Sequence, residues 1–118
     1  MEKQFRSIRS KAFEKQKTKA LKKENRLERV IEEAISLIES DPERYGGRLR
    51  GRILKGLRSC DAKSYRILYS FCKECNKLGE QEYNNCHKCN EITGENVIII
   101  QQLMPRKRDY KKVRRRFQ

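Results

Sequence analysis

The segment NVIIIQQLM, residues 96–104, holds the longest purely aliphatic run in the chain, Val97-Ile98-Ile99-Ile100. A short β-branched run like this reads as a central strand apolar on both faces. It is far short of the roughly 20 apolar residues a membrane-spanning helix needs. A second strand is predicted over SYRILYSF, residues 64–71, from its aromatic and aliphatic content. A short first strand is expected over residues 4–8, and RILKGLR, from residue 52, is a short segment bounded by glycines.

The N-terminal half has a different period. Leu27, Val30, Ile31, Ala34, Ile35, Leu37 and Ile38 recur at helical spacing and predict a helix over 26–39. Asn25 is its expected N-cap, with Glu28 at the capping-box position. Asp41-Pro42 ends it, because a residue before proline avoids helical geometry. Tyr45-Gly46-Gly47 reads as a turn. An earlier helix over 10–23 is expected through Ala12, Phe13, Ala20 and Leu21. Two helices followed by strands indicate an α+β fold. The 118 residues fit one domain, 1–118, and no repeat or Ser/Gly/Pro-rich linker divides them.

That domain is lean in core material, with 36% apolar against 39% charged residues. A structural metal would help it fold. FCKECNKLGEQEYNNCHKCN, residues 71–90, carries four of the five cysteines as two Cys-x-x-Cys pairs. Zn²⁺ takes four tetrahedral ligands, and each such pair presents two thiolates from one small knuckle. Cys72, Cys75, Cys86 and Cys89 are therefore the predicted ligands of one structural zinc per chain. Gly79 and Asn84-Asn85 supply turn chemistry between the pairs. The segment, 72–89, is expected to be a zinc-binding hairpin insertion between two strands. A redox pair and an iron–sulfur cluster are the alternatives, the latter disfavoured by polar surroundings. His87 is expected to be exposed rather than a ligand, and Cys60 to be an ordinary small residue at a turn. A closed four-thiolate site has no open position for water, so its role is structural. It holds the hairpin or offers a knuckle to RNA.

The formal net charge is +14. A surplus this large implies a polyanionic partner, nucleic acid first, with no membrane expected. The opening residues, MEKQFRSIRSK, lack the apolar core of a secretory signal. The expected location is cytoplasmic, where closely spaced cysteines favour metal over disulfides.

LRGRILKGLRS, then SYRILYSF, then VIIIQQLMPRKRDY, preceded by a helix and DPERYGG, resembles the RelE/ParE toxin superfamily over about residues 4–112. The Y-R-I-L-Y strand is its most specific element, followed by the spacing of Arg106 and Tyr110. The cysteine insertion is not a common feature of that family. The resemblance implies a helical hairpin on a small twisted antiparallel sheet, with a C-terminal helix. It implies a toxin that cuts mRNA on the ribosome and is silenced by a cognate antitoxin. Arg66 matches the family's phosphate-binding arginine, and Arg106 the arginine that stabilises charge or acts as an acid. Tyr110 matches a tyrosine that stacks on or orients RNA, and Lys55 falls in the basic strand facing the RNA. Arg50, Arg52, Arg58, Arg108 and Lys111 extend the basic surface as RNA contacts.

The residues suit cleavage of RNA by its own 2′-OH, a metal-independent reaction. That reaction needs the phosphate held in line, its developing charge neutralised and protons moved. Arginine forks grip phosphate oxygens bidentately. With one histidine in the chain, the base would be a lysine of lowered pKa or Tyr110 among cations. The alternatives are a non-catalytic zinc-ribbon protein that binds RNA or DNA, and a ParE-like toxin without ribonuclease activity.

Overall fold

A computed structural model describes residues 5–49, 56–78 and 96–106. In chain order the elements are β1 (Arg6–Arg9), α1 (Lys11–Lys23), α2 (Leu27–Ser40), β2 (Gly47–Arg48), β3 (Arg58–Ala62), β4 (Tyr65–Phe71), α3 (Cys72–Leu78) and β5 (Val97–Pro105). The strands form one five-stranded sheet in the order β1-β5-β4-β3-β2. β1 runs parallel to β5, and the other pairings are antiparallel. The sheet is thus mixed rather than wholly antiparallel. The physical reason is that α1 and α2 lie between β2 and β1, while β1 enters the sheet beside the last strand.

β5 is flanked by β1 and β4, the central place its aliphatic run implies. Ile98 and Ile100 join the core beneath the helices, and Leu103 joins them there. A regular strand would put Leu103 on the opposite face from Ile98 and Ile100. A register shift between Leu68 and Tyr69 of β4, opposite Gln101, corrects the phase. One extra residue in β5 turns Leu103 back to the helices. Val97 and Ile99 are buried as well.

α1 and α2 cover one face of the sheet. Phe13 and Ala20 of α1 meet Leu27, Ile31, Ala34, Ile35 and Ile38 of α2 over Cys60, Ala62, Ile67, Tyr69 and Phe71. Ser10 caps α1: its Oγ accepts from the Phe13 N–H at 3.0 Å and donates to the Gln101 carbonyl at 2.6 Å. Gln16 Oε1 accepts from the Leu103 N–H at 2.7 Å. β1 stops at the partner of Ile100, so Ser10, the cap of α1, and Gln16 within it bond the part of β5 that β1 does not reach.

The start of α2 differs from the sequence expectation. Arg26, not Asn25, is the N-cap, and it makes no side-chain cap bond. The linker between the helices is so short that backbone suffices. The Glu24 and Asn25 carbonyls accept from the Leu27 and Glu28 N–H groups. The end of α2 is as expected: Asp41 is the C-cap, and its Oδ1 accepts from the Arg44 N–H at 3.2 Å. Cys60 lies in β3, 7% exposed, not at a turn. Burial, with the charge of Asp61, pushes its thiol pKa up to about 11.

The cysteine segment connects two neighbouring antiparallel strands, β4 and β5. Its described part is a helix, α3, rather than an arm of a hairpin. Among the described residues, no helix is long and apolar enough to cross a membrane.

Candidate functional site

The β3–β4 hairpin builds the site. Ala62 pairs with Tyr65, so Lys63 and Ser64 form a two-residue turn. Such turns require a positive φ, and Lys63 supplies it at 60° although it is not glycine. The next pair outward sets Asp61 opposite Arg66, and Arg66 opposite Met104 of β5. Cys60, Ala62 and Ile67 point to the helices. Strand alternation therefore puts Asp61 and Arg66 on the opposite face. There they adjoin a second apolar cluster, Leu57, Leu68 and Met104 with Leu49 packed against it.

Arg106 follows directly on β5 and returns to the same hairpin. Its backbone N–H donates to the Ser64 carbonyl at 2.9 Å. Its Nη1 donates to the Lys63 carbonyl at 3.4 Å. One carboxylate then joins the two arginines: Arg66 Nε lies 3.3 Å from Asp61 Oδ1, and Arg106 Nη2 lies 3.7 Å from Oδ2. Arg66 and Arg106 are 40 positions apart in sequence, and the fold brings them to the same anion. The Arg66 side chain is 29% exposed, that of Arg106 48% and that of Asp61 56%, so the group faces solvent. Lys63 Nζ pairs with Glu24 of the helical linker at 2.7 Å.

Arg58 sits differently. It is 8% exposed and points into the protein. Its guanidinium donates to the Gly46 carbonyl at 2.7 Å and to Glu74 Oε2 of α3 at 2.6 Å. Burial works against its charge, but hydrogen bonding to Glu74 and the charge of that carboxylate outweigh it, so the pKa is raised. Arg58 is thus a brace between β3, the turn after α2 and α3, not a solvent-facing RNA contact. Arg48 also reaches Glu74, at 3.6 Å.

Cys72 and Cys75 lie one helical turn apart on α3, so both fall on one face. Cys75 is 5% exposed and Cys72 partly exposed. Two thiols at this spacing can supply half of a tetrahedral site. No group of three or more metal-ligating side chains occurs among the described residues. Cys86, Cys89 and His87 lie outside them, as do Lys55, Tyr110, Arg50, Arg52, Arg108, Lys111 and the C-terminal helix the resemblance implies.

The site residue that sequence reasoning missed is Asp61. Its signal was available: with Lys63-Ser64 as a two-residue turn, residues 61 and 66 stand opposite each other. What the sequence did not contain is the approach of Arg106 to the same carboxylate.

The backbone matches a chain of the crystal structure of the toxin–antitoxin complex RelBE2 from Mycobacterium tuberculosis. The TM-score is 0.55 at 19% identity, over 86% of this chain and 98% of that one. The fold is RelE-like. No protein-family model and no curated protein matches the sequence.

Proposed function

We propose that this chain is the toxin of a toxin–antitoxin pair, a RelE-like endoribonuclease that cuts mRNA on the ribosome. The observation that carries the reading is the convergence of Arg66 and Arg106 on a single carboxylate at the solvent face of a RelE-like sheet. Two guanidiniums aimed at one anion are what a scissile phosphate requires: each fork neutralises a non-bridging oxygen as charge develops. The RNA supplies its own nucleophile, the 2′-OH, and Tyr110 or Lys55 moves the proton. Such a site depends on the ribosome to hold the strand in line. The toxin–antitoxin context of the structural neighbour supports an antitoxin partner.

The same reading gives the cysteines a structural task. Cys72 and Cys75 on one face of α3, with Cys86 and Cys89, would hold one zinc. The metal would supply no step of the reaction. It would fix the end of α3 and, through Glu74, the Arg58 brace.

The test is a reconstituted translation reaction with mRNA breaks mapped by primer extension. Breaks at A-site codons that vanish with Arg66→Ala and Arg106→Ala are expected. Tight RNA binding without breaks would favour the zinc-binding module, and replication arrest with intact mRNA the ParE-like alternative. Either result overturns the ribonuclease.

A further inference from the structure

If Arg66 and Arg106 receive a phosphate, the position it needs is already filled. We propose that Asp61 is a built-in stand-in for the RNA phosphate, which must displace its carboxylate from Arg66 and Arg106 in order to bind. The inference rests on the proposed function and adds a residue that sets the strength of that site.

The geometry carries it. The two Asp61 oxygens divide the arginines between them, Oδ1 to Arg66 at 3.3 Å and Oδ2 to Arg106 at 3.7 Å. The two non-bridging oxygens of a phosphodiester present the same pair of acceptors. The hairpin also holds Arg106 from behind, through the Ser64 carbonyl on its backbone and the Lys63 carbonyl on its Nη1. Arg106 therefore stays near its place when the carboxylate leaves. Lys63 holds this position with a left-handed backbone at φ 60°, a conformation that residues other than glycine, asparagine and aspartate seldom adopt. Asp61 is more than half exposed, and exposed ion pairs are weak. An incoming phosphate can therefore replace it. Until then the carboxylate keeps two cations together that would otherwise repel, and cancels one of their charges.

The consequence is that removing the Asp61 charge should strengthen RNA binding, the reverse of what a structural aspartate would do. The experiment uses the full chain and a fluorescent single-stranded oligonucleotide with 2′-O-methyl riboses, which cannot be cleaved. Affinity is measured by anisotropy across a salt series. Asp61→Asn should bind about 1.5- to 5-fold more tightly, the range set by a weak exposed ion pair. Its salt dependence should steepen by up to about 0.7 in log–log slope, because a single-strand phosphate then neutralises one more net positive charge. Asp61→Glu should restore wild-type affinity. Combining Asp61→Asn with Arg66→Ala and Arg106→Ala should abolish the gain, since the effect acts through the arginines. Equal thermal stability of Asp61→Asn and wild type shows that folding is not the cause.

Weaker or unchanged binding by folded Asp61→Asn, with Arg66→Ala and Arg106→Ala each still weakening binding, overturns the inference and leaves the phosphate site standing. A gain that persists without the arginines overturns it too, because the effect is then one of net charge. Arginine variants that bind like wild type overturn the phosphate site itself.

Discussion

Gly46 shows how closely single positions are fitted in this chain. A Cβ there would strike the Tyr69 ring and hydroxyl, and the Tyr69 hydroxyl is committed to the Pro42 carbonyl. Burial raises the Tyr69 pKa, although the charge of Arg58 opposes that shift. Gly46→Ala should destabilise the protein by about 1–3 kcal/mol through overpacking; urea unfolding would measure it, and an unchanged midpoint would refute the fit. The neighbouring Arg58–Glu74 pair is nearly dry, with side chains 10% and 14% exposed. Arg58→Ala should cost up to about 3–5 kcal/mol because it leaves a largely buried carboxylate with the more distant Arg48, at 3.6 Å. Arg58→Ala combined with Glu74→Gln should recover part of that loss. If the double variant is no more stable than the single one, the pairing is not what Arg58 contributes.

At the scale of elements, polar clamps join the helices to the sheet. Glu32 of α2 accepts from Arg9 at the end of β1, with bonds of 2.5 and 2.8 Å, and from Lys17 of α1 at 2.9 Å. The Arg9 hydrogen bond, helped by Lys17 and opposed by partial burial, pulls the Glu32 carboxyl down to about 2. A depressed carboxylate pKa stabilises the fold above its ordinary value and loses that contribution on acidification. Stability should therefore fall as pH drops from about 5 towards 2, and Glu32→Gln should flatten this part of the curve. At pH 7 the substitution should cost about 1 kcal/mol, a modest figure because part of the carboxylate remains in water. Chemical denaturation at pH 7, 4 and 3 would check both, and parallel curves for variant and wild type would count against the clamp. α3 gives the second prediction at this scale. Cys72→Ser and Cys86→Ser should each lower bound zinc from about one per chain and depress the melting temperature. Metal analysis of purified protein would decide it: a metal-free chain of unchanged stability excludes the zinc.

For the whole molecule, a net charge of +14 predicts affinity for RNA that falls steeply with salt. Arg66→Ala with Arg106→Ala should reduce both the affinity and its salt slope, whereas Leu37→Ser, on the exposed side of α2, should change neither. An RNA affinity insensitive to salt would separate the charge from nucleic-acid binding altogether.

Local spacing and composition determined both helices, the strands over 64–71 and 96–104 and the α+β class, because each is written in neighbouring residues. Val97 to Ile100 announced a central strand, and β5 occupies that place. The tertiary structure decided what depends on distant segments meeting. The parallel β1–β5 pairing, the Gln101 phase correction and the helical start of the cysteine segment are of this kind. So is Arg58, which reads in sequence as one more basic residue and folds into a buried pair because α3 brings Glu74 to it. Arg66 and Arg106 were legible one at a time from the family resemblance. Their meeting at Asp61 was not, since it requires the hairpin register and the end of β5 together. Local patterns are set by backbone geometry within a few residues, whereas a site assembled from three strands exists only once the sheet has closed.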